Sequence, residues 1–348
     1  MARSEAVKGR RTPRPRPEGF AAAKPVIAAT TAALIAGGCE GVQSALDPSG
    51  ESARQLATFW WLMLSVLSAA FILVVAALFY ALHRTPSPSS RLKAGHFIIG
   101  GGIIFSALTI IVFFVASLRI PWMTEPLDPD QPAVEVIGYK FWWEVRYPNG
   151  EGGAPIVSAN EIRLPVGERV FFDVTTADVI HSFWIPKLGS KIDMIPGQVN
   201  RISLQADEPG VFRGQCYEFC GAQHANMAFS VIAMPPDAFA DWLAREAKPA
   251  PPPGHPLLQQ GQRAFIAAGC GSCHRIRGTT ADGNTAPDLT HVAGRQTLAA
   301  GMFDNTPGNM AAWIVSAQQM KPGNKMPSFN GLDGPTLHAL TAYLASLE

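Results

Sequence analysis

Charge is scarce in this chain: Lys, Arg, Asp and Glu make up 16% of its 348 residues, against about 25% in typical soluble domains. The formal charge is only +1, from 28 basic and 27 acidic residues, so no field of one sign points to nucleic acid or anionic lipid as the main partner. So small a net charge, beside 47% hydrophobic residues, excludes charge-driven disorder. The 29 prolines and 32 glycines follow no collagen-like repeat. At ~100 to 200 residues per domain the length allows two or three domains. What remains is a multidomain chain in a membrane or exported setting.

The neutral total hides opposite ends. Residues 1–24 carry seven Lys/Arg against two Asp/Glu, whereas residues 125–246 carry nine against seventeen. The basic start (Arg3, Lys8, Arg10, Arg11, Arg14, Arg16, Lys24) precedes a short apolar run, Val26–Ala36, then Gly37, Gly38 and Cys39. That is the layout of an export leader over residues 1–39; Cys39 after Ala-Gly-Gly resembles a bacterial lipoprotein cleavage box, with Ala36 where leucine is usual. Two charge-free runs follow, Phe59–Leu82 with 24 residues and Phe97–Leu118 with 22, each beyond the ~20 needed to cross the hydrocarbon core. They predict a transmembrane hairpin within residues 40–124. The loop His83–His96 holds Arg84, Arg91 and Lys93 and no acid, which places it in the cytoplasm and everything after Leu118 outside. Trp60, Trp61, Tyr80 and Trp122 sit near the span ends, as interfacial aromatics do. Gly100, Gly101 and Gly102 form a narrow strip that either admits a neighbouring helix or is filled by lipid.

Residues 125–246 read as a β domain. Short runs rich in β-branched and aromatic residues (Ala133–Ile137, Arg169–Thr175, Val199–Leu204, Gly210–Arg213, Met227–Ile232) are separated by Pro, Gly and Asn, the pattern of an antiparallel sandwich or barrel. Pro236–Glu246 reads as a closing helix. Within this domain stand His181, Cys216, Glu218, Cys220, His224 and Met227, the last five inside twelve residues. Two imidazoles, two thiols and a thioether form a soft donor set that favours copper over magnesium or calcium. A Cys216–Cys220 disulfide suits an exported domain but leaves the histidines and Met227 unexplained. Tetrahedral zinc would use four of the ligands but not the methionine. Mononuclear blue copper needs a single cysteine. Two cysteines four residues apart are also able to bridge two copper ions, which suits electron relay.

The motifs His181-Ser-Phe-Trp-Ile-Pro, Lys191-Ile-Asp-Met-Ile-Pro-Gly and Gly214-Gln-Cys-Tyr-Glu-Phe-Cys-Gly-Ala-Gln-His-Ala-Asn-Met resemble subunit II of cytochrome c oxidase, with its binuclear copper A. The resemblance covers the helical hairpin and the β domain and implies a cupredoxin-like Greek-key barrel. It implies that Cys216 and Cys220 bridge the coppers, His181 and His224 terminate the pair, and Met227 and the Glu218 carbonyl are weak ligands. In the family the Glu218 carboxylate also reaches a magnesium ion shared with subunit I. Two positions depart from the family. Phe141, in Gly138-Tyr-Lys-Phe-Trp-Trp-Glu, stands where a tryptophan commonly receives electrons from soluble cytochrome c. Near the cytoplasmic start of the second span only His96 ionises, where relatives often carry a glutamate at the mouth of a proton path; His96 reads as an interfacial histidine. Trp142 and Trp143 either couple the sites or pack structurally.

Residues 247–256 form a proline-rich, semi-rigid spacer. The remaining 92 residues, 257–348, read as helices at Leu257–Ala268, Met310–Gln318 and about Pro335–Leu347. Between the first two lies Cys270-Gly-Ser-Cys-His274, the pattern for covalent attachment of c-type haem through Cys270 and Cys273 with His274 as proximal ligand. Met302, Met310, Met320, Met326, His291 and His338 compete as sixth ligand. Met326, in Lys321-Pro-Gly-Asn-Lys-Met-Pro327, is favoured because its stiff loop resembles the methionine loop of class I cytochromes c, with Met320 second. By the same resemblance the Pro287 carbonyl holds the proximal histidine ring, fixing its tautomer. With Cys39 in the leader, two cysteines on copper and two on haem, none remains for a structural disulfide.

The resemblance therefore implies subunit II of a bacterial haem-copper oxidase fused to an all-α class I cytochrome c domain. Its partners would be subunit I and other oxidase subunits, cytochrome c or another redox donor, and the lipid bilayer of the inner membrane, with copper and haem on the periplasmic side and no nucleic acid. A quinol oxidase subunit II would lack the cysteines. The alternative is a free-standing membrane-anchored electron carrier or copper-delivery protein.

Overall fold

The computed structural model describes residues 40–83, 94–118, 130–148 and 153–348. The leader, Cys39, most of the loop between the two apolar runs and Trp122 lie outside the described residues. From Gly41 to Glu348 the chain forms one compact unit.

The first apolar run forms helix α1, Glu51–His83, starting eight residues before the charge-free stretch. Its length of 33 residues gives ~50 Å at 1.5 Å per residue, more than the ~30 Å hydrocarbon core requires. The surplus is the N-terminal end, where Ala53 and Ala57 are buried, Arg54 Nη1 lies 2.7 Å from Asp207 Oδ2, and Ser49 N donates to Lys187 O at 2.8 Å. The helix thus emerges directly from the β domain. The second run is α-helical over Ala94–Phe97 (α2), π-helical over Ile98–Ile104 and α-helical again over Phe105–Ser117 (α3). The three glycines fall inside the π-helical turn, where missing side chains ease a local widening of the helix. Phe59 and Phe113 meet edge to face at 6.4 Å, joining the hairpin.

The β domain is a sandwich of two five-stranded sheets. One has the order β3-β2-β1-β5-β8 and the other β4-β10-β9-β6-β7. The strands are Ala133–Tyr139 (β1), Trp142–Tyr147 (β2), Ile156–Ala159 (β3), Glu161–Pro165 (β4), Val170–Thr176 (β5), His181–Trp184 (β6), Ile192–Met194 (β7), Asn200–Leu204 (β8), Gly210–Cys216 (β9) and Ala228–Met234 (β10). The five expected strands are present. Pairing is not wholly antiparallel, however: β1 runs parallel to β5 and β4 parallel to β10, because the chain crosses between the sheets instead of turning back on its neighbour. Alternating burial along β5, β8 and β9 sends Phe172, Ile202 and Phe212 inward to meet Trp143, Phe183 and Phe229 in one core. Each such side chain stabilises by roughly 1.5–3 kcal/mol relative to exposure. Helix α4, Pro236–Glu246, closes the barrel with Trp242 edge-on to Tyr147 at 5.1 Å.

The C-terminal domain is built from α5, Pro256–Ala267, α6, Pro307–Met320, and α7, Gly334–Leu344. Thr306 and Asp333 cap the last two by accepting from Asn309 N and Thr336 N, satisfying amides that have no partner within the helix. Helices α5 and α7 cross at Gly261, where a Cβ would fall 2.1 Å from the Ala339 carbonyl oxygen. Only glycine allows that approach. A small hairpin, Thr297–Leu298 (β11) with Phe303–Asp304 (β12), projects from this domain.

The hairpin shows that the spacer is not the only link between the two domains. Ala228 N donates to Ala300 O at 3.1 Å. Glu161 Oε1 accepts from Gln296 N at 2.5 Å and Thr297 N at 3.1 Å, and Arg163 Nη2 donates to Gly294 O at 2.8 Å. Arg277 donates to the carbonyls of Ala247 and Glu246. The C-terminal domain is docked on the sandwich.

Candidate functional site

The predicted copper ligands converge. Strand β6 delivers His181, the end of β9 delivers Cys216, and the loop to β10 carries Glu218, Cys220, His224 and Met227. Cys216 Sγ lies 3.9 Å from Cys220 Sγ, far beyond the ~2.05 Å of a disulfide, so that alternative falls. His181 Nδ1 is 3.7 Å from Cys216 Sγ, and His224 Nδ1 is 3.7 Å from Cys220 Sγ. Met227 Sδ is 3.8 Å from Cys220 Sγ and the Glu218 carbonyl oxygen 3.2 Å from Cys216 Sγ. Each thiol therefore has its own imidazole. His181, Cys216 and Cys220 place their ligand atoms within 4.8 Å of one another, all buried. The Glu218 carboxylate lies 3.8 Å from Lys191 Nζ and is nearly half exposed.

The two thiols are not equivalent. Cys220 beside it and His181 hold the Cys216 thiol well below its ordinary range, and the same contact pushes Cys220 up: two adjacent thiolates repel unless a cation lies between them. Asp178, which sequence reading missed, accepts from His181 Nε2 at 2.9 Å and so turns Nδ1 toward the sulfurs. Gly138 passes directly over that ring; a Cβ there would lie 2.9 Å from His181 Cδ2. Trp143 is wholly buried in the core beside His181 and Phe229, and Trp142 stacks on Tyr139 at 4.6 Å. Phe141 is 7% exposed.

In the C-terminal domain Cys270 and Cys273 are free thiols held on a single 3₁₀ turn by Cys273 N donating to Cys270 O at 3.2 Å, with His274 N donating to the same carbonyl at 3.0 Å. His274 Nδ1 donates to Pro287 O at 2.7 Å, which leaves Nε2 as the lone-pair nitrogen. Burial holds the imidazole below its ordinary pKa, in the neutral form an iron ligand needs. Cys270 and Met326 pack against the same apolar cluster, which includes Phe265, Ile276, Val292, Leu298 and Tyr343. The methionine loop is fastened by Met326 N donating to Asn324 Oδ1 at 2.6 Å and Gln318 Nε2 to Met326 O at 2.6 Å. Of the competing sixth ligands, His291 has both ring nitrogens engaged, with Glu348 O at 2.6 Å and Lys248 O at 2.9 Å. His338 is exposed, and Met310 is buried in the core face of its helix.

The residues fit the groups their chemistry implies: soft sulfur and imidazole donors for copper, and two thiols with a fixed neutral histidine for haem. The sequence agrees. Residues 150–234 match the family described as cytochrome c oxidase subunit II, periplasmic domain, and residues 258–348 match cytochrome c. Copper in the first domain and haem in the second follow from these memberships, and define the class as a cytochrome c oxidase subunit that carries its own cytochrome c domain. Cytochrome c oxidase subunit 2 of Alkalihalophilus pseudofirmus is 35% identical over 90% of this chain and 94% of the relative. That of Bacillus subtilis is 32% identical over 65% of this chain and 66% of its own length. The solved periplasmic domain of subunit II of cytochrome oxidase from Bradyrhizobium japonicum is 32% identical, covering 33% of this chain and 93% of that one, with a TM-score of 0.31. The chain belongs to the cytochrome c oxidase subunit 2 family and is a subunit of an oxidoreductase.

Proposed function

We propose that residues 125–246 hold binuclear copper A, that residues 257–348 hold one covalent haem c, and that electrons pass from the second domain to the first and on to haem a of subunit I. Oxygen reduction to water and proton pumping then occur in subunit I. When bound, the two groups each take up and release one electron at a time without making or breaking bonds to substrate. The chain's task is holding and spacing. Cys216 and Cys220 would hold the two coppers between them, with His181, His224, Met227 and the Glu218 carbonyl as the remaining ligands. Cys270 and Cys273 would tether the porphyrin, and His274 and Met326 would hold its iron; a thioether opposite histidine would raise the reduction potential, which favours taking electrons from an outside donor. The part-exposed Glu218 carboxylate suits a magnesium ion shared with subunit I.

We further read the two apolar helices as the anchor in a bacterial inner membrane, with both redox domains on the periplasmic side. Soluble cytochrome c or another carrier is the donor, and 247–256 is the connecting spacer.

The observation that carries this reading is the pair of thiols 3.9 Å apart, each 3.7 Å from its own imidazole nitrogen. Replacing Cys220 by serine tests it. The variant should lose the binuclear copper signal in electron paramagnetic resonance and the near-infrared band while keeping the haem c spectrum; an unchanged near-infrared band would defeat the copper assignment.

A further inference from the structure

One buried cation outside both ligand sets links them. Lys321 ends helix α6, five residues before Met326, and is 2% exposed. Its ammonium donates to three main-chain carbonyls: Asn226 O at 2.8 Å, Ala299 O at 2.8 Å and Phe141 O at 3.1 Å. All three hydrogens are thereby used. The acceptors come from three segments. Asn226 lies in the copper loop next to Met227, Phe141 stands at the family's usual point of electron arrival, and Ala299 belongs to the hairpin that touches Ala228. Gln223 Nε2 adds a bond to Pro322 O at 2.8 Å.

We propose that Lys321 is a positioning residue that locks the methionine loop of the haem domain onto the copper loop and so fixes one docked arrangement for electron passage between them. The inference rests on the functional reading above and adds its structural determinant. A buried ammonium suits this task because two of its acceptors, Asn226 O and Phe141 O, belong to the sandwich, while Ala299 O lies in its own domain and holds it in place. Any arrangement that keeps the interface closed but shifts the loop leaves these two carbonyls and the ammonium buried without partners, which costs more than the docked arrangement.

The test uses the complete oxidase complex with Lys321→Met, similar in length but without donors. Haem and copper content should match the parent. After flash reduction of the haem, its reoxidation by copper should slow by roughly tenfold or more, as misplaced partners do, and should become dependent on solvent viscosity because re-docking now limits it. The Ala228 amide, bonded across the interface, should exchange its hydrogen faster. A parental, viscosity-independent rate with unchanged Ala228 exchange, or loss of the copper signal, would overturn the assignment. Should Lys321→Met not assemble, Lys321→Gln, which retains two donor hydrogens, is read by the same three measurements. If the parent passes no electron from haem to copper, the functional reading fails, and Ala228 exchange still decides whether Lys321 holds the interface.

Discussion

At the scale of single residues, the copper site depends on groups that ligate nothing. Asp178 accepts from His181 Nε2, from Lys140 N and from Val179 N, so one carboxylate orders both the imidazole and the turn that precedes it. Asp178→Ala should weaken copper binding by roughly 10–100-fold, the usual cost of losing a partner behind a ligating histidine, measured by competition with a copper chelator. Parental affinity would show that packing against Trp143 alone holds the ring. The cluster of proposed ligands was legible in the sequence because five of them fall within twelve residues, and the structure brings them together with His181. Asp178, Gly138 and Lys321 were not. Gly138 acts by lacking a Cβ over His181, and Lys321 by reaching backbone atoms of another domain; neither contact leaves a local pattern.

At the scale of elements, the long or strongly patterned ones were readable. Both apolar runs, the closing helix of the sandwich and the three helices of the C-terminal domain lie where periodicity placed them. The short strands were not: β6 and β7 have four and three residues, too few for alternation to register, and β2 is aromatic on both faces. The parallel pairs β1/β5 and β4/β10 depend on which distant strands meet, information that periodicity does not contain. The α5/α7 crossing is the element contact most exposed to a single change. Gly261→Ala inserts a methyl against the Ala339 carbonyl and should destabilise the haem domain by about 1–3 kcal/mol, seen as a lower midpoint when thermal unfolding is followed in the haem absorption. An unshifted midpoint would mean the helices separate without penalty.

At the scale of the whole molecule, docking and not tethering sets how the two domains meet. A freely tethered domain would meet copper at an effective concentration that falls as the spacer lengthens. Here Ala250 is buried and its amide donates to Arg277 O at 2.9 Å, so the exposed prolines that follow set no distance. Inserting about ten Gly/Ser residues after Pro252 should leave the transfer rate unchanged, whereas a tether-limited domain would slow with linker length.

The central claim is that one chain holds two coppers and one covalent haem. Quantitative metal and haem analysis of the purified complex, combined with electron paramagnetic resonance, tests it most directly. The account predicts two copper ions on this subunit, sharing one unpaired electron in the oxidised state, beside one haem c that survives denaturation. A complex that respires with its haem c in place while this subunit carries no copper would contradict it.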